Sequence, residues 1–393
     1  MSTGSSASPP SRDALALYIG VVQFFFATTW TLYVIYLPAL ATAAGIGREW
    51  IPWILVADQV VFAAADIATG FWIDRVRAGL ARFGGWIMAV TAVSCAAFVA
   101  LPFAGASAGV LLGAILVWGV SSSALRSPPW ALLARHAATP SIPWLSALVL
   151  TGSTLAAALA PYLGVALKGV DPRVPFVVST VTLLAAVGGL VLAERRVPAA
   201  PAAPAPAAPF DWQRAALFFA ALLLMAAGFQ AHFALNSPHQ YLRFATADRL
   251  PYLMPIFWIG FNLAMFPASG IVKRAGPLAA LAGASAAGAL GMLASVLAPD
   301  LAMLSVAQFL AGACWGAASV AAYSAAIGFG RTGREGRLLG TFFAVLALGA
   351  FMRIAAYASD LVVEPGVRAA LPWLPEAAWL AAAALLLPAA RRR

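Results

Sequence analysis

The stretch DIATGFWIDRVR, Asp66 to Arg77, closes a long apolar run that begins near Ile51. It keeps one acid, Asp66, inside the run and a glycine, Gly70, four residues on. At its edge stand Asp74 and Arg75, with Arg77 two residues further. An acid inside an apolar helix needs a partner, and one beside arginines at its edge suggests a boundary between oil and water. Both readings depend on whether the run crosses a bilayer, so the rest of the chain decides.

Of the 393 residues, 63% are hydrophobic and only 10% charged, and the mean hydropathy is +0.89. Apolar stretches of roughly 20 residues at this density predict transmembrane helices. The first run, Ala14 to Leu40, is longer than a signal-peptide core and reads as the first span, after a polar, disordered tail over 1–13. Twelve spans are expected, at about 14–40, 51–73, 83–103, 108–134, 143–168, 174–193, 213–236, 250–272, 277–298, 301–328, 338–362 and 371–390.

The formal net charge of +10 would suggest nucleic acid in a soluble protein. Here the basic residues fall in loops, so no nucleic-acid partner is expected. With the N-terminus inside, 16 of the 24 Lys and Arg lie on the cytoplasmic side and 6 on the other. That asymmetry places both termini in the cytoplasm of a multi-pass protein of the cytoplasmic (inner) membrane. Cys95 and Cys314 both fall in apolar segments and read as small core residues.

Between spans six and seven lies VPAAPAAPAPAAPF, Val197 to Phe210. Proline alternating with alanine cannot continue a helix and favours a semi-rigid extended strand. It reads as a linker between bundles over 14–196 and 211–393. The bundles repeat weakly. ATGFWIDR (68–75) returns as ASGIVKR (268–274), and VWGVSSSA (117–124) returns as CWGAASVA (314–321). Internal repeats around a midplane site are a common plan for secondary transporters.

Gly70, Asp74, Arg75 and Arg77, after the second of twelve spans, resemble the loop signature of the major facilitator superfamily. The resemblance implies an all-α membrane protein with two pseudo-symmetric six-helix bundles. It implies alternating access, in which the loop acid braces the two bundles on the cytoplasmic face. Physically, Gly70 lets a neighbouring helix approach closely. Asp74 ends its own helix and can accept hydrogen bonds from another helix that starts on the same side. The second copy has Lys273 and Arg274 instead of an Asp–Arg pair, and the fourth span ends in Arg135–His136 where many family members place an acid.

Four charges lie within spans: Asp58, Asp66, Arg126 and Arg353. Each costs roughly 2.5–3.5 kcal/mol at a helix centre, so pairing is expected. At 1.5 Å per residue, Asp66 and Arg126 both lie about 10–12 Å from the cytoplasmic end. Asp58 and Arg353 both lie about 10–12 Å from the outer end. The depths pair Asp66 with Arg126 and Asp58 with Arg353. The second pair is expected to latch the outer gate and to open on protonation; purely structural pairs are the alternative. Pro128 and Pro129 follow Arg126 and kink the fourth span, as packing or as a binding site.

In the resembled fold, spans one, four, seven and ten line the central cavity. The polar and aromatic candidates there are Gln23, Trp30, Tyr33, Trp118, Gln230, Asn236, Trp315 and Tyr323, with Tyr36 and Gln308 nearby. Gln230 and Asn236 lie about 120° apart on a regular helix and cannot share one wall. His232 is a proton carrier or, the favoured reading, a hydrogen-bond partner of a neighbouring helix. His239 reads as an outer-loop residue. No phosphate-binding glycine loop, metal-ligand spacing or nucleophile elbow is present, so no cofactor or metal and no enzyme activity are expected. The reading is a monomeric secondary carrier of a small organic solute, proton-coupled and in contact with membrane lipid. Its two intramembrane arginines lean toward an anionic or zwitterionic solute. The alternative is a non-transporting membrane sensor or assembly factor on the same scaffold.

Overall fold

The computed structural model describes residues 12–75, 83–136, 138–194, 210–330 and 333–391. Every regular element among them is helical. In hydrocarbon each backbone N–H and C=O must find a partner within the protein, and for these alanine- and leucine-rich runs the helix supplies it.

The helices in chain order are α1 (Arg12–Ala43), α2 (Ile51–Arg75), α3 (Phe83–Ala100), α4 (Ala108–Ser122), α5 (Ser127–His136), α6 (Ile142–Ala166), α7 (Arg173–Glu194) and α8 (Trp212–Gln230). They continue with α9 (Ser237–Tyr241), α10 (Leu250–Leu253), α11 (Pro255–Ala275), α12 (Pro277–Val296), α13 (Leu301–Gly330), α14 (Glu335–Ala358), α15 (Pro365–Ala370) and α16 (Leu374–Arg391). A 3-10 turn, Ser123–Leu125, joins α4 to α5, and a π-helical segment, Ala231–Asn236, joins α8 to α9.

Eleven helical stretches among the described residues are long and apolar enough to cross a membrane. The last helix, α16, has 18 residues, holds Glu376 in its first turn and ends at Arg391. It lies outside that set of eleven, against the expected twelve, because charge at both ends lowers its mean hydropathy. The expected tail over 1–13 is shorter at its C-terminal edge, since α1 already includes Arg12 and Asp13. Residues 1–11 and the linker over 197–209 lie outside the described residues. His239, expected in a loop, sits in α9, because the π segment carries the helix past Asn236.

Cross-contacts fix the two ends of the bundle. Arg243, just beyond α9, donates to the carbonyl of Val296, the last residue of α12. Asp74, at the end of α2, meets the start of α14. The end carrying Asp74 also carries the start of α1 and is called the terminal face below.

Two seams join the early helices to the late ones. In the first, the backbones of α2 and α14 touch where Gly70 meets Gly336 and Gly340. A methyl on Gly70 would collide with the carbonyl of Gly336, and one on Gly340 with that of Asp66. The second seam joins α6 to α11. There Thr154 Oγ1 donates to Asn262 Oδ1 at 2.8 Å, and beside it Tyr162 of α6 meets Tyr252 of α10 edge to face. Glycines also let α1 cross α6 at Gly20–Gly152, and α11 cross α13 at Gly260–Gly312. Small residues at such crossings are how membrane helices bring backbones together.

Candidate functional site: a central cavity beside a buried ion pair

The fourth crossing breaks where its sequence demands it. In a regular helix the carbonyl of Leu125 would accept from residue 129, but Pro129 has no N–H. Gln23 on α1 supplies the missing donor, with Nε2 at 2.8 Å from the Leu125 oxygen. The turn at Ser123–Leu125 then reorients Arg126, whose own N–H bonds back to Ser123. Gln23, a cavity candidate in the sequence, is placed at the edge of the void described below. Its bond to the break is a second role, legible from Pro129 alone, because every buried carbonyl needs a donor.

The break aims Arg126 at α2. Arg126 Nε stands 3.1 Å from Asp66 Oδ2. Asp66 is fully buried, and among the described residues neither carboxylate oxygen has a hydrogen-bond partner. Its charge is therefore balanced by Coulomb attraction to one guanidinium. That guanidinium also lies over Phe62 at 5.0 Å and over Phe343 of α14 at 5.5 Å, a cation–π arrangement.

Arg126 lines a cavity of about 330 Å³ shared by α1, α5, α6, α13 and α14. Trp30 and Tyr323 line it too. Trp130, one turn after Arg126, stacks on Tyr323 at 3.9 Å, and Tyr323 packs on Phe342 of α14. These rings floor the cavity on the side of the terminal face.

Asp58 and Arg353 are not paired, contrary to the match in depth. Asp58 Oδ2 accepts from Tyr33 Oη at 2.7 Å, and Arg353 Nε donates to Gln230 Oε1 at 2.9 Å. Depth fixes one coordinate only; the rotation of each helix turns Asp58 toward α1 and Arg353 toward α8. Arg353 and Asn236 instead line a second cavity, of about 920 Å³, at the end opposite the terminal face. Asn236 Nδ2 bonds the carbonyl of Leu371, so Gln230 and Asn236 serve different neighbours.

His232 is buried and hydrogen-bonds Gln308 on α13, Nε2 to Oε1, at 3.1 Å. The Ser237 N–H bonds the carbonyl of His232 five residues back, which closes the π turn, and the Ser237 hydroxyl points its single hydrogen between that carbonyl, at 2.9 Å, and the same Oε1, at 3.2 Å. Gln308 Nε2 completes the chain to Gln240 at 2.9 Å. Ser237 and Gln240 were missed as members of this network. The signal was Pro238, which removes a backbone donor beside them.

Trp118 and Trp315 occupy the repeated Trp–Gly pairs. Trp118 is buried against Tyr33 at 4.8 Å and stacks on Trp30 at 6.1 Å. Trp315 stacks on Phe229 at 5.0 Å and meets Trp379. Both belong to packed aromatic clusters. Tyr36, also buried, donates to the carbonyls of Leu167 and Val170 at the far end of α6.

At the terminal face Asp74 Oδ1 accepts from the Gly336 N–H at 2.8 Å, and Oδ2 from the Arg337 N–H at 3.1 Å. Arg337 Nε adds an ion pair at 3.4 Å. A carboxylate thus caps the first turn of α14, where free N–H groups and the helix dipole favour negative charge. Arg75 is exposed beside it. Arg77 lies outside the described residues, as do the side chains of Arg135 and His136. Among the described residues no group of three or more His, Cys, Asp or Glu comes together as a metal site.

A family model, the Major Facilitator Superfamily, matches residues 19–352. The chain belongs to the major facilitator superfamily. Solved structures agree on the fold. A bacterial homologue of the iron transporter ferroportin, in an outward-facing state, aligns with TM-score 0.72 at 13% identity, covering 96% of this chain and 99% of that one. The human organic anion transporter MFSD10 (TETRAN) aligns with TM-score 0.68 at 16% identity, covering 98% and 99%. A variant of the Escherichia coli fucose:proton symporter FucP aligns with TM-score 0.68 at 14% identity, covering 96% and 97%. A sequence search of curated proteins finds no match. Members of this superfamily are multi-pass membrane transporters of small molecules, not enzymes.

Proposed function

We propose that this superfamily member is a proton-coupled secondary carrier of a small organic anion or zwitterion in the cytoplasmic membrane. In this reading α16 is the twelfth crossing, both termini are cytoplasmic, and two six-helix bundles over 14–196 and 211–393 rock about the central cavity. The protein acts as a monomer surrounded by lipid. The bonds from Asp74 to α14 and the glycine seam hold the cytoplasmic side shut in the state described, and that clamp releases when the bundles rock.

The Asp66–Arg126 pair beside the cavity carries the proposal. An anionic solute entering the cavity competes for the guanidinium that neutralises Asp66. Among the described residues Asp66 has no hydrogen-bond donor, and an unpaired buried carboxylate takes up a proton rather than stay charged. Solute and proton then travel together with no net charge. When the solute leaves, Arg126 returns to Asp66 and the proton is released. Phe343 belongs to the second bundle, so rocking changes the surroundings of Arg126 directly.

The test is a thermal-shift screen of the purified protein at two pH values. It sets monocarboxylates and amino acids against sugars and organic cations, and transport in proteoliposomes carrying a trapped pH dye follows. The expected result is stabilisation by carboxylate-bearing solutes that disappears in Arg126→Gln, with protons moving beside the solute. Asp66→Asn keeps binding and loses the proton movement. Stabilisation by neutral or cationic solutes that ignores Arg126→Gln, or solute movement without protons, overturns the reading.

A further inference from the structure

The larger cavity, about 920 Å³, opens at the end away from the Asp74 clamp, between the start of α2 and the α9, α14 and α15 region. Its wall contains Arg243, Arg353, Arg368 and His239 but no aspartate or glutamate. Most of its other lining is apolar, including Ile51 and Leu55 on one side and Ile354 on the other. No ion pair to any of the three arginines occurs among the described residues.

The three arginines are held differently. Arg243 spends both terminal nitrogens on the carbonyls of Val296 and Ala298, at 3.2 and 3.0 Å. Arg368 is exposed on α15 at the rim. Arg353 is half-buried within α14, and Gln230 holds its Nε. Its terminal nitrogens have no hydrogen bond among the described residues. A guanidinium fixed through Nε and free at its two terminal nitrogens is preset for two parallel bonds to one carboxylate. A cation inside a membrane protein is costly without a counter-charge, and nothing in this wall supplies one.

We infer that this cavity is a separate binding site for an amphipathic carboxylate, independent of the central cavity. The carboxylate pairs with Arg353, and the apolar body lies between Ile51 and Leu55 of α2 and Ile354 of α14. Arg243 and Arg368 add positive potential without contacting the head. The walls come from both ends of the chain, so an occupant bridges α2 to the later helices on the side that the Asp74 clamp leaves apart. A free organic acid or an anionic phospholipid, whose phosphodiester replaces the carboxylate, offers the same pairing of an anionic head with an apolar body.

The probe is 2-naphthoate, with 2-naphthamide as its neutral twin, titrated by calorimetry against the full chain in phosphatidylcholine nanodiscs. The measurement is made in the Arg126→Gln background, so that failure of the central site and failure of this one are distinguishable. Naphthoate is expected to bind roughly ten- to a hundredfold more tightly than naphthamide, and adding Arg353→Gln should erase that preference. Because the acid–amide comparison needs no change at Arg353, it reads the site even where Arg353→Gln fails to fold. Replacing part of the phosphatidylcholine by phosphatidylglycerol assigns the source: competition that vanishes with Arg353→Gln identifies anionic lipid, and unaltered naphthoate binding identifies a soluble acid. Equal binding of acid and amide, or an acid preference that survives Arg353→Gln, overturns the inference.

Discussion

At the scale of single residues, one problem and its answer lie in different helices. Proline within a membrane helix strips a carbonyl of its donor, and a side chain must answer. Gln23 answers for Leu125. Gln23→Leu therefore leaves a buried carbonyl orphaned and should cost roughly 1–3 kcal/mol, read as a lower thermal midpoint. Adding Pro129→Ala restores a backbone donor and should recover part of that loss. Full additivity of the two changes would show that the bond does not exist. The Asp66–Arg126 match was legible because both residues count inward from the same end of their helices. Asp58 and Arg353 defeated the same reasoning, since Tyr33 and Gln230 satisfy them first. Depth is linear in sequence and needs no partner to compute. Azimuth depends on how a helix packs, which one sequence does not state.

At the scale of elements, the contact between α2 and α14 governs what the terminal face can do. Gly70, Gly336 and Gly340 stand where any side chain would strike opposing backbone. Gly340→Ala places a methyl against the carbonyl of Asp66. Overpacking of this kind costs about 1–3 kcal/mol and should raise the population with α2 and α14 apart by roughly five- to a hundredfold. Alkylation of a reporter, Ile73→Cys, checks this, because Ile73 is buried in the seam at 1% exposure. An unchanged alkylation rate would contradict the packing. Gly70 stood out in the sequence because an Asp–Arg pair follows it. Gly336 and Gly340 carry no such flag, and only the crossing itself reveals them. The second copy of the repeat behaves differently: among the described residues a methyl on Gly270 would meet nothing within 4 Å, and Lys273 and Arg274 pair with no carboxylate. Sequence similarity between the copies thus did not imply equal contacts.

For the whole molecule, the all-helical, multi-pass plan was legible in apolar length, while eleven stretches among the described residues, against the expected twelve, are long and apolar enough to cross. Orientation remains to be tested. Asp300→Cys, exposed at the end away from the terminal face, should react with a membrane-impermeant maleimide in intact cells. Arg274→Cys, exposed at the terminal face, should react only after permeabilisation. The reverse pattern would invert the carrier and the direction assigned to its clamp. The cavities were less legible, because a void has no sequence signature: its walls come from helices hundreds of residues apart. The bare seam has a kinetic corollary. At the glycine crossing the two backbones touch with no side chain between them to stretch, so that part of the seam should open in a single step. Traffic through this carrier should therefore be digital, with single-molecule distance records across α2 and α14 jumping between two levels and never drifting from one to the other.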